Sequence, residues 1–560
     1  MVIRRIVLPV CILLALAAFN IRAEGVEKMP AEPILKVWTV DSLIKIFPNT
    51  PASDAPAAVK VDAVRNEYES AQLVVTPDRN IDNLTVKVSQ LTGPSKVAPR
   101  VETHFLGYVH IEKGTPETPP EYLITQAPSD IPDVLLEAKS VSVKASQNQP
   151  IWFTIYVPKN AEPGIYKGEI TIEADSTKSN VPLEVKVYPA TLPDERTLYL
   201  TNWFSHGNIA KFHGLEMWSE PYWKMLEAYA RCMAEHRQNV VITPIMDLIA
   251  VHYDSSGNRT LDFSRFDSWV ELFKKAGVIG TIEGGHLGGR SEWEATDFDA
   301  HWPRIYNPDG SIKPNPKIKT TSEEERQFLS WFMPALQKHL EEKGWIGIYI
   351  QHLADEPIPA NAESYKKLSS WVREFAPKLR IIDACMANEI AGAIDIWVPL
   401  PQHFESHMKF FRERQALGEE VWFYTCLTPK GKYMNRLLDF QLIRTRLLHW
   451  LNFKYGLTGY LHWGFNYWRG DPYTDWQSDW LPPGDSHIVY PGKRGPMSSI
   501  RLEALRDGVE DFELLKLLEK KHPRKARQIC NSVVRTMTDY TLDPSEFREA
   551  RKRLIEEVSK

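Results

Sequence analysis

Cysteine is scarce in this chain, five in 560 residues, and one of the five, Cys11, lies in an N-terminal apolar stretch. Cys232, Cys385 and Cys426 each stand alone within apolar patterns, which excludes a dense disulfide framework and reads as buried thiols. No H-E-x-x-H and no clustered Cys/His spacing occurs, so neither a metal nor another cofactor is implied. The Gly284-Gly285-His286-Leu287-Gly288-Gly289 loop lacks both G-x-G-x-x-G spacing and a helix directly after it, which excludes a phosphate cradle. Charge of one sign is not in excess: the formal net charge of -5 argues against a nucleic-acid partner. The basic run Lys520-Lys521-His522-Pro523-Arg524-Lys525 reads as a solvated helix junction. Beyond Phe19 no apolar run is long enough to span a membrane, so the mature chain has no expected span.

What is present begins with an export signal. Arg4 and Arg5 precede the apolar stretch Ile6 to Phe19, and small residues cluster at Ala15, Ala17, Ala18 and Ala23, so residues 1–23 read as a cleaved leader. The expected location is exported, periplasmic or secreted. With 43% hydrophobic and 25% charged residues, the remainder has the composition of ordinary globular protein and room for two or three domains.

Residues 34–193 carry short period-two segments, among them Glu69 to Val75, Leu84 to Val88, Trp152 to Val157 and Val181 to Val187, separated by Asn, Asp, Gly and Pro turns. That alternation predicts a β-sandwich, read as an accessory domain that packs on the rest of the chain; carbohydrate binding by it is left open. After Pro193 strands alternate with long amphipathic segments, the pattern of a parallel sheet covered by helices. Strands are expected at Leu198 to Phe204, Val240 to Ile245, Val278 to Ile282, Ile346 to Leu353, Ile381 to Cys385, Ile396 to Leu400, Val421 to Cys426 and Gly459 to Trp463. Ser219, Ser322 and Asn361 stand where they would cap the helices after them. The expected fold is therefore α/β: a (β/α)8 TIM-like barrel over 194–490, preceded by an N-terminal β-sandwich and followed by a helical segment, 491–560, packed on the barrel.

The chemistry concentrates at Asp355 and Glu356, which end the apolar run Gly347 to Ala354 and precede Pro357. Acids at the carboxyl end of a barrel strand sit where this architecture builds active sites. Pro357 is expected to bias Glu356 toward extended backbone. Retaining glycosidases of this architecture commonly pair an acid on the fourth strand with a carboxylate nucleophile on the seventh, roughly 5 Å away. Here the seventh strand reads Val421-Trp422-Phe423-Tyr424-Thr425-Cys426-Leu427, without a carboxylate. The partner must then be another protein carboxylate, a water, or the substrate itself. A sugar with a 2-acetamido group can close its amide oxygen onto the anomeric carbon, a route that needs two neighbouring acids. In that scheme Asp355 orients the acetamide and stabilises its developing charge, Glu356 is acid and then base, and Tyr424 donates to the acetamide oxygen.

The eighth strand leads into an aromatic and polar segment with Trp463, Asn466 and Trp468, followed by Trp476 and Trp480. Sugar C–H faces stack on aromatic rings and hydroxyls need planar polar partners, so these residues, with Asn202 and Trp203 after the first strand and Glu283 and His286 after the third, are candidate saccharide contacts. The expected partner is an oligosaccharide or glycoconjugate substrate. Three rivals stay open: a β-N-acetylglucosaminidase with the same acids, a non-catalytic saccharide-binding protein, and an inverting hydrolase in which Glu283 or Asp475 activates water.

The Leu353-Ala354-Asp355-Glu356-Pro357 strand end, the Trp422 to Cys426 strand, His462-Trp463-Gly464 and the Arg501 to Asp511 run together resemble glycoside hydrolase family 123. The resemblance spans nearly the whole mature chain. It implies exo-acting β-N-acetylgalactosaminidase activity with retention of configuration, and substrate-assisted catalysis by Asp355 and Glu356, with a contact from Tyr424. The Arg501 to Asp511 run is read as structural pairing of a C-terminal helix.

Overall fold

The structure, a computed structural model, describes residues 34–474 and 480–560. The leader, Asp475 and Trp476 lie outside the described residues.

Two five-stranded sheets make up the N-terminal region. One orders Leu35–Val40, Glu67–Pro77, Gln149–Val157, Arg100–Ile111 and Ser129–Leu136, and the other Val59–Arg65, Thr177–Thr191, Gly164–Ala174, Ile81–Val88 and Val141–Val143. Along Thr177–Thr191 the alternation is clean: Val181, Leu183, Val185 and Val187 are buried against Ile151, Phe153 and Ile155 of the facing sheet. Each such burial contributes about 1.5–3 kcal/mol. The loop 158–163 carries the chain from one sheet to the other. Gln149–Val157 is buried on both faces, because Phe153 enters the sandwich core while Trp152 enters the core of the second region.

That second region contains eight parallel strands in chain order: Tyr199–Asn202, Val240–Thr243, Thr281–Gly284, Tyr349–Gln351, Arg380–Ala384, Ile396–Val398, the run 420–424 broken at Trp422, and Gly459–His462. The second to seventh pair in order, the seventh pairs with the eighth, and the eighth pairs with the first. The first and second meet through Asn239, whose backbone N–H donates to Leu200 O at 3.3 Å. Helices connect most strands, but the fifth and sixth are joined only through a single 3-10 turn, Asn388–Ile390.

Local chemistry explains most boundaries. Ser219 Oγ accepts from the Tyr222 N–H and Ser322 Oγ from the Glu325 N–H, so both helices start at expected caps. Asn361 holds the capping position without capping: its Oδ1 accepts from the Ile358 N–H at 2.8 Å and its Nδ2 donates to Ala295 O. The third strand begins at Thr281 rather than Val278, since Gly277 takes φ +82° and the Gly280 N–H turns back to Val278 O. Ile346–Ile348 is a 3-10 turn, which shortens the fourth strand to three residues.

Helix Ile500–Lys521 is more than a cover. It packs on helix Leu442–Tyr455, and its charged residues reach the sandwich: Arg501 pairs with Asp133 at 2.8 Å, and Glu510 Oε2 accepts the Tyr68 N–H at 2.9 Å. Lys521 to Lys525 form the exposed junction to the next helix. Cys232, Cys385, Cys426 and Cys530 are free thiols. Among the described residues no helix is long and apolar enough to cross a membrane.

Candidate active site

Asp355 and Glu356 leave the end of the fourth strand on a bent backbone. Glu356 has φ +48°, the left-handed region, where extended backbone was expected ahead of Pro357. A non-glycine residue held there costs on the order of 1–3 kcal/mol and persists only where surrounding contacts over-determine it. Those contacts are present: the Tyr424 hydroxyl donates to Glu356 Oε1, and Arg290 Nη2 donates to Oε2 at 3.3 Å. Burial and the Glu356 carboxylate push the Tyr424 phenol well above its ordinary value, so it stays protonated as the donor. Tyr424 therefore meets the acid itself.

The glycine-rich loop after the third strand brings further groups to the pair. The backbone N–H groups of Leu287 and Gly288 both donate to Leu353 O, at 3.0 and 2.9 Å, which lays the loop along the strand end. A Cβ on Gly288 would come within 2.5 Å of Thr320 Cγ2, so only glycine permits this approach. His286 is thereby placed with Nε2 4.0 Å from Asp355 Oδ1 and 3.6 Å from Asp383 Oδ1. Burial, then the neighbouring His352 and His301, hold His286 well below its ordinary pKa, hence neutral.

Beneath the pair lies a buried relay absent from the sequence expectations. His352 donates from Nδ1 to Asp383 Oδ1 at 2.7 Å and from Nε2 to Glu283 Oε1 at 2.8 Å. Burial opposes a charge on this ring, but the two carboxylates prevail and raise it to about 10, so it is an imidazolium. Asp383 also accepts from Tyr365 OH at 2.6 Å and from the Leu353 N–H at 3.0 Å. Asp355 turns nearly half of its side chain to the open cleft, yet the concave surroundings, Glu356 and Asp383 together push its carboxyl up to about 7.

The other expected contacts divide. Trp463 and Tyr467 are partly exposed and pack together at 5.3 Å between ring centroids; burial, then the Asp355 and Glu283 charges, raise the Tyr467 phenol to about 12. Trp203 lines the floor, edge-on to His286 and His352, with Nε1 donating to Glu283 at 2.8 Å. Glu283 is fully buried and also accepts from Thr201 Oγ1, which corrects its expected place in the pocket and leaves no room for it to activate water. Asn202 is buried and bonded to Arg436 and Gln238, Asn466 ties down Ser205, and Trp468 donates to Val489 O in the core. These three hold neighbouring segments together rather than face the cleft, while Trp463 and Tyr467 are partly exposed.

The ring nitrogens of His286 and His352 and an Asp383 oxygen lie within 4.8 Å of one another, a spacing a metal ion could use. Both His352 nitrogens are already bonded to carboxylates, so the clustering is accounted for by hydrogen bonding. A wider cleft of about 1060 Å³ lies between the two regions, lined by residues such as Glu102, Arg231, Glu503 and Arg506. It offers no adjacent acids at strand ends, so the chemistry is assigned to Asp355 and Glu356.

Asp383 and His352 were legible in part: each is a polar residue inside an apolar strand, Ile381-Ile382-Asp383-Ala384 and Tyr349-Ile350-Gln351-His352-Leu353. A buried strand tolerates such groups only when they are paired. Arg290 gave no comparable signal.

Comparisons with known proteins identify the family. The family model described as "Glycoside hydrolase 123, catalytic domain" matches residues 203–518, and "Glycoside hydrolase 123 N-terminal domain" matches 48–174. No curated protein matches the chain in sequence. A family 123 glycoside hydrolase from Clostridium perfringens, studied for glycolipid glycan hydrolysis, overlays with TM-score 0.73 at 17% identity, covering 94% of this chain and 97% of that one. A termite-gut GH10 xylanase with a bacterial Ig-like domain overlays at TM-score 0.34, with 11% identity over 82% of this chain and 100% of that one.

Proposed function

Because this chain belongs to glycoside hydrolase family 123, we propose that it is an exo-acting, retaining glycosidase that releases terminal β-linked N-acetylgalactosamine with the substrate's own acetamide as nucleophile. One observation carries the mechanism: at the end of the seventh strand, where a carboxylate nucleophile would face the acid, stands Tyr424, hydrogen-bonded to Glu356. The nucleophile must then come from elsewhere, and an adjacent second acid is what an acetamide nucleophile requires.

The roles follow from position. Asp355, as carboxylate, accepts the acetamide N–H, aims its oxygen at the anomeric carbon and offsets the charge of the oxazolinium ion as the leaving group departs. Glu356 protonates the departing glycosidic oxygen, then takes a proton from the water that opens the ring. In the free protein both Glu356 oxygens accept hydrogen bonds, while Asp355 is the carboxyl pushed up to about 7. Substrate binding favours the ionised form of Asp355, which accepts from the amide N–H. The His352 imidazolium, fixed between Asp383 and Glu283, limits the negative charge beneath the pair and keeps ionisation of Asp355 attainable near neutrality.

The strand order supports reading the second region as a (β/α)8 barrel whose fifth and sixth strands are joined without a helix. Export belongs to the same proposal and is tested by sequencing the N-terminus of the mature protein. The functional test is nitrophenol release from matched para-nitrophenyl β-glycosides of N-acetylgalactosamine, N-acetylglucosamine and galactose. Release from the galactosaminide alone is expected. Release from plain galactoside would show that the nucleophile is not the substrate's amide.

A further inference from the structure

Trp463 stands one residue beyond the eighth strand, partly exposed, and packs against the cluster that contains Trp203 and Tyr424, whose hydroxyl meets Glu356. Its ring is held at one edge: Nε1 donates to Asp485 Oδ2 at 3.1 Å, and Asp485 is fully buried. The segment carrying Asp485 lies along the strand exit, where the Tyr467 N–H donates to Ser486 O at 3.0 Å.

Asp485 is fixed in turn by two buried groups. Its Oδ1 and His462 Nε2 face each other at 3.4 Å, and neither has another partner. His462 Nδ1 accepts from Arg436 Nη2 at 2.6 Å and from the Gly464 N–H at 3.0 Å, so the ring proton sits on Nε2, toward the carboxylate. Burial, then the Arg436 and Arg501 charges, keep this imidazole neutral. Arg436 is fully buried and finds only neutral acceptors: His462, Asn202 Oδ1 at 2.7 Å and Gly464 O. Burial lowers Arg436 to about 9 and raises Asp485 to about 7. A buried cation and a buried carboxylate held apart by a neutral ring contribute little net stability, and apolar residues of the same volume would fill the core as well. What the chain of groups does supply is direction, since it leaves Asp485 Oδ2 turned to the indole.

An indole free to rotate sweeps its face away from a sugar's C–H surface, and stacking requires a set plane. We infer that Asp485 is a positioning residue, which fixes the plane of the Trp463 indole for the sugar bound at Asp355 and Glu356. Arg436 and His462 hold the carboxylate in place for that task. Setting the ring before the substrate arrives removes part of the ordering cost of binding.

The inference rests on the proposed hydrolase activity, and a double-mutant cycle on the full mature chain separates the two. Asp485→Asn, Trp463→Phe and the double variant are assayed with para-nitrophenyl β-N-acetylgalactosaminide, and Tm is measured for each. Asp485→Asn keeps the shape, but its amide cannot accept from both the Trp463 and the His462 N–H; kcat/KM is expected to fall about tenfold, mainly through KM. Trp463→Phe keeps an aromatic ring without the donor, and a loss of about the same size is expected. With the donor gone Asp485 has nothing to hold, so the double variant should be no worse than the more impaired single one. Losses that multiply to about a hundredfold overturn the proposal. So does a fall in Tm with kcat/KM unchanged in Asp485→Asn, the result of a structural role alone. Should Asp485→Asn not fold, Trp463→Phe decides: a loss of about tenfold through KM supports the proposal, and kcat/KM within about twofold overturns it. Failure of the unaltered protein to cleave the galactosaminide, the glucosaminide or the galactoside overturns the functional reading, and the positioning role with it.

Discussion

Two clusters of buried charge in this protein are built from the same residue types and come to opposite ends. Where the sandwich meets helix Ile500–Lys521, nearly every acid has a guanidinium: Arg446 bridges Glu69 and Asp511 at 2.8 and 2.9 Å, Arg551 joins Glu67, Glu69 and Asp511, and Arg506 pairs with Glu503 at 2.7 Å. Their partners hold Glu69 and Glu503 well below the usual carboxylate range despite burial, although burial, then Glu510 and Glu69, push Glu67 up to about 8 against the pull of Arg551. At the strand ends, Asp355, Glu356, Asp383 and Glu283 share one imidazolium and one arginine contact, and Asp355 is pushed up to about 7. The joint spends its charges on one another. The site leaves them short of partners, so that a substrate group or a proton can supply what is missing.

Removing the acid should produce the largest effect. Glu356→Gln is expected to lower kcat/KM about a thousandfold for glycosides with poor leaving groups, and far less in the first step for activated aryl glycosides. Equal losses would remove the acid role. Asp355→Asn should cost about a hundredfold or more on both substrate types, because orienting the acetamide does not depend on the leaving group. Retained activity would take Asp355 out of the mechanism.

The joint should respond in stability rather than turnover. Arg446→Met strands Glu69, Asp507 and Asp511 without one of their cations, which costs about 3–5 kcal/mol. A fall in Tm of about 3–5 °C is expected, with kcat of the folded fraction unchanged. A large fall in kcat instead would tie the two clusters together.

Proton linkage gives a finer test. His352 has a folded pKa of about 10 against an ordinary 6.5, so its stabilisation is fully present below pH 6.5 and lost as pH rises toward 10. His352→Gln should abolish that decline in unfolding free energy. The smallest effect is expected for Asp355, whose folded pKa of about 7 lies above its ordinary 3.8. Its contribution is most favourable below pH 3.8 and is lost as pH rises through 7, so Asp355→Asn should raise Tm at pH 8, on the order of 1 °C, and leave it unchanged at pH 3.5. A larger gain in acid than in base would reverse the assignment.

Much of this was legible because it depends on neighbours in the chain. The caps at Ser219 and Ser322 and all eight parallel strands follow from local propensity and periodicity, and the acids stand out because Asp355-Glu356-Pro357 ends an apolar run. The errors share a cause: Asn361 and Glu356 obeyed distant partners over local preference, the first bonding to Ala295 and the second pinned by Tyr424 and Arg290. Asn202, Glu283, Asn466 and Trp468 were right in region and wrong in direction. Proximity to a strand end does not say whether a side chain faces the cleft or the layer beneath it.

The sequence alone thus determined the sandwich, the succession of parallel strands, the acid pair and the absence of a carboxylate on the seventh strand, all properties of short segments with a fixed period. Only the tertiary structure decided that His352 is clamped between Asp383 and Glu283, that Arg290 reaches Glu356 across 66 positions, and that helix Ile500–Lys521 joins the two regions through buried ion pairs. Charges in a low-dielectric interior interact strongly through space and independently of separation along the chain. Their pairing is settled when the parallel strands assemble and the sandwich docks on them.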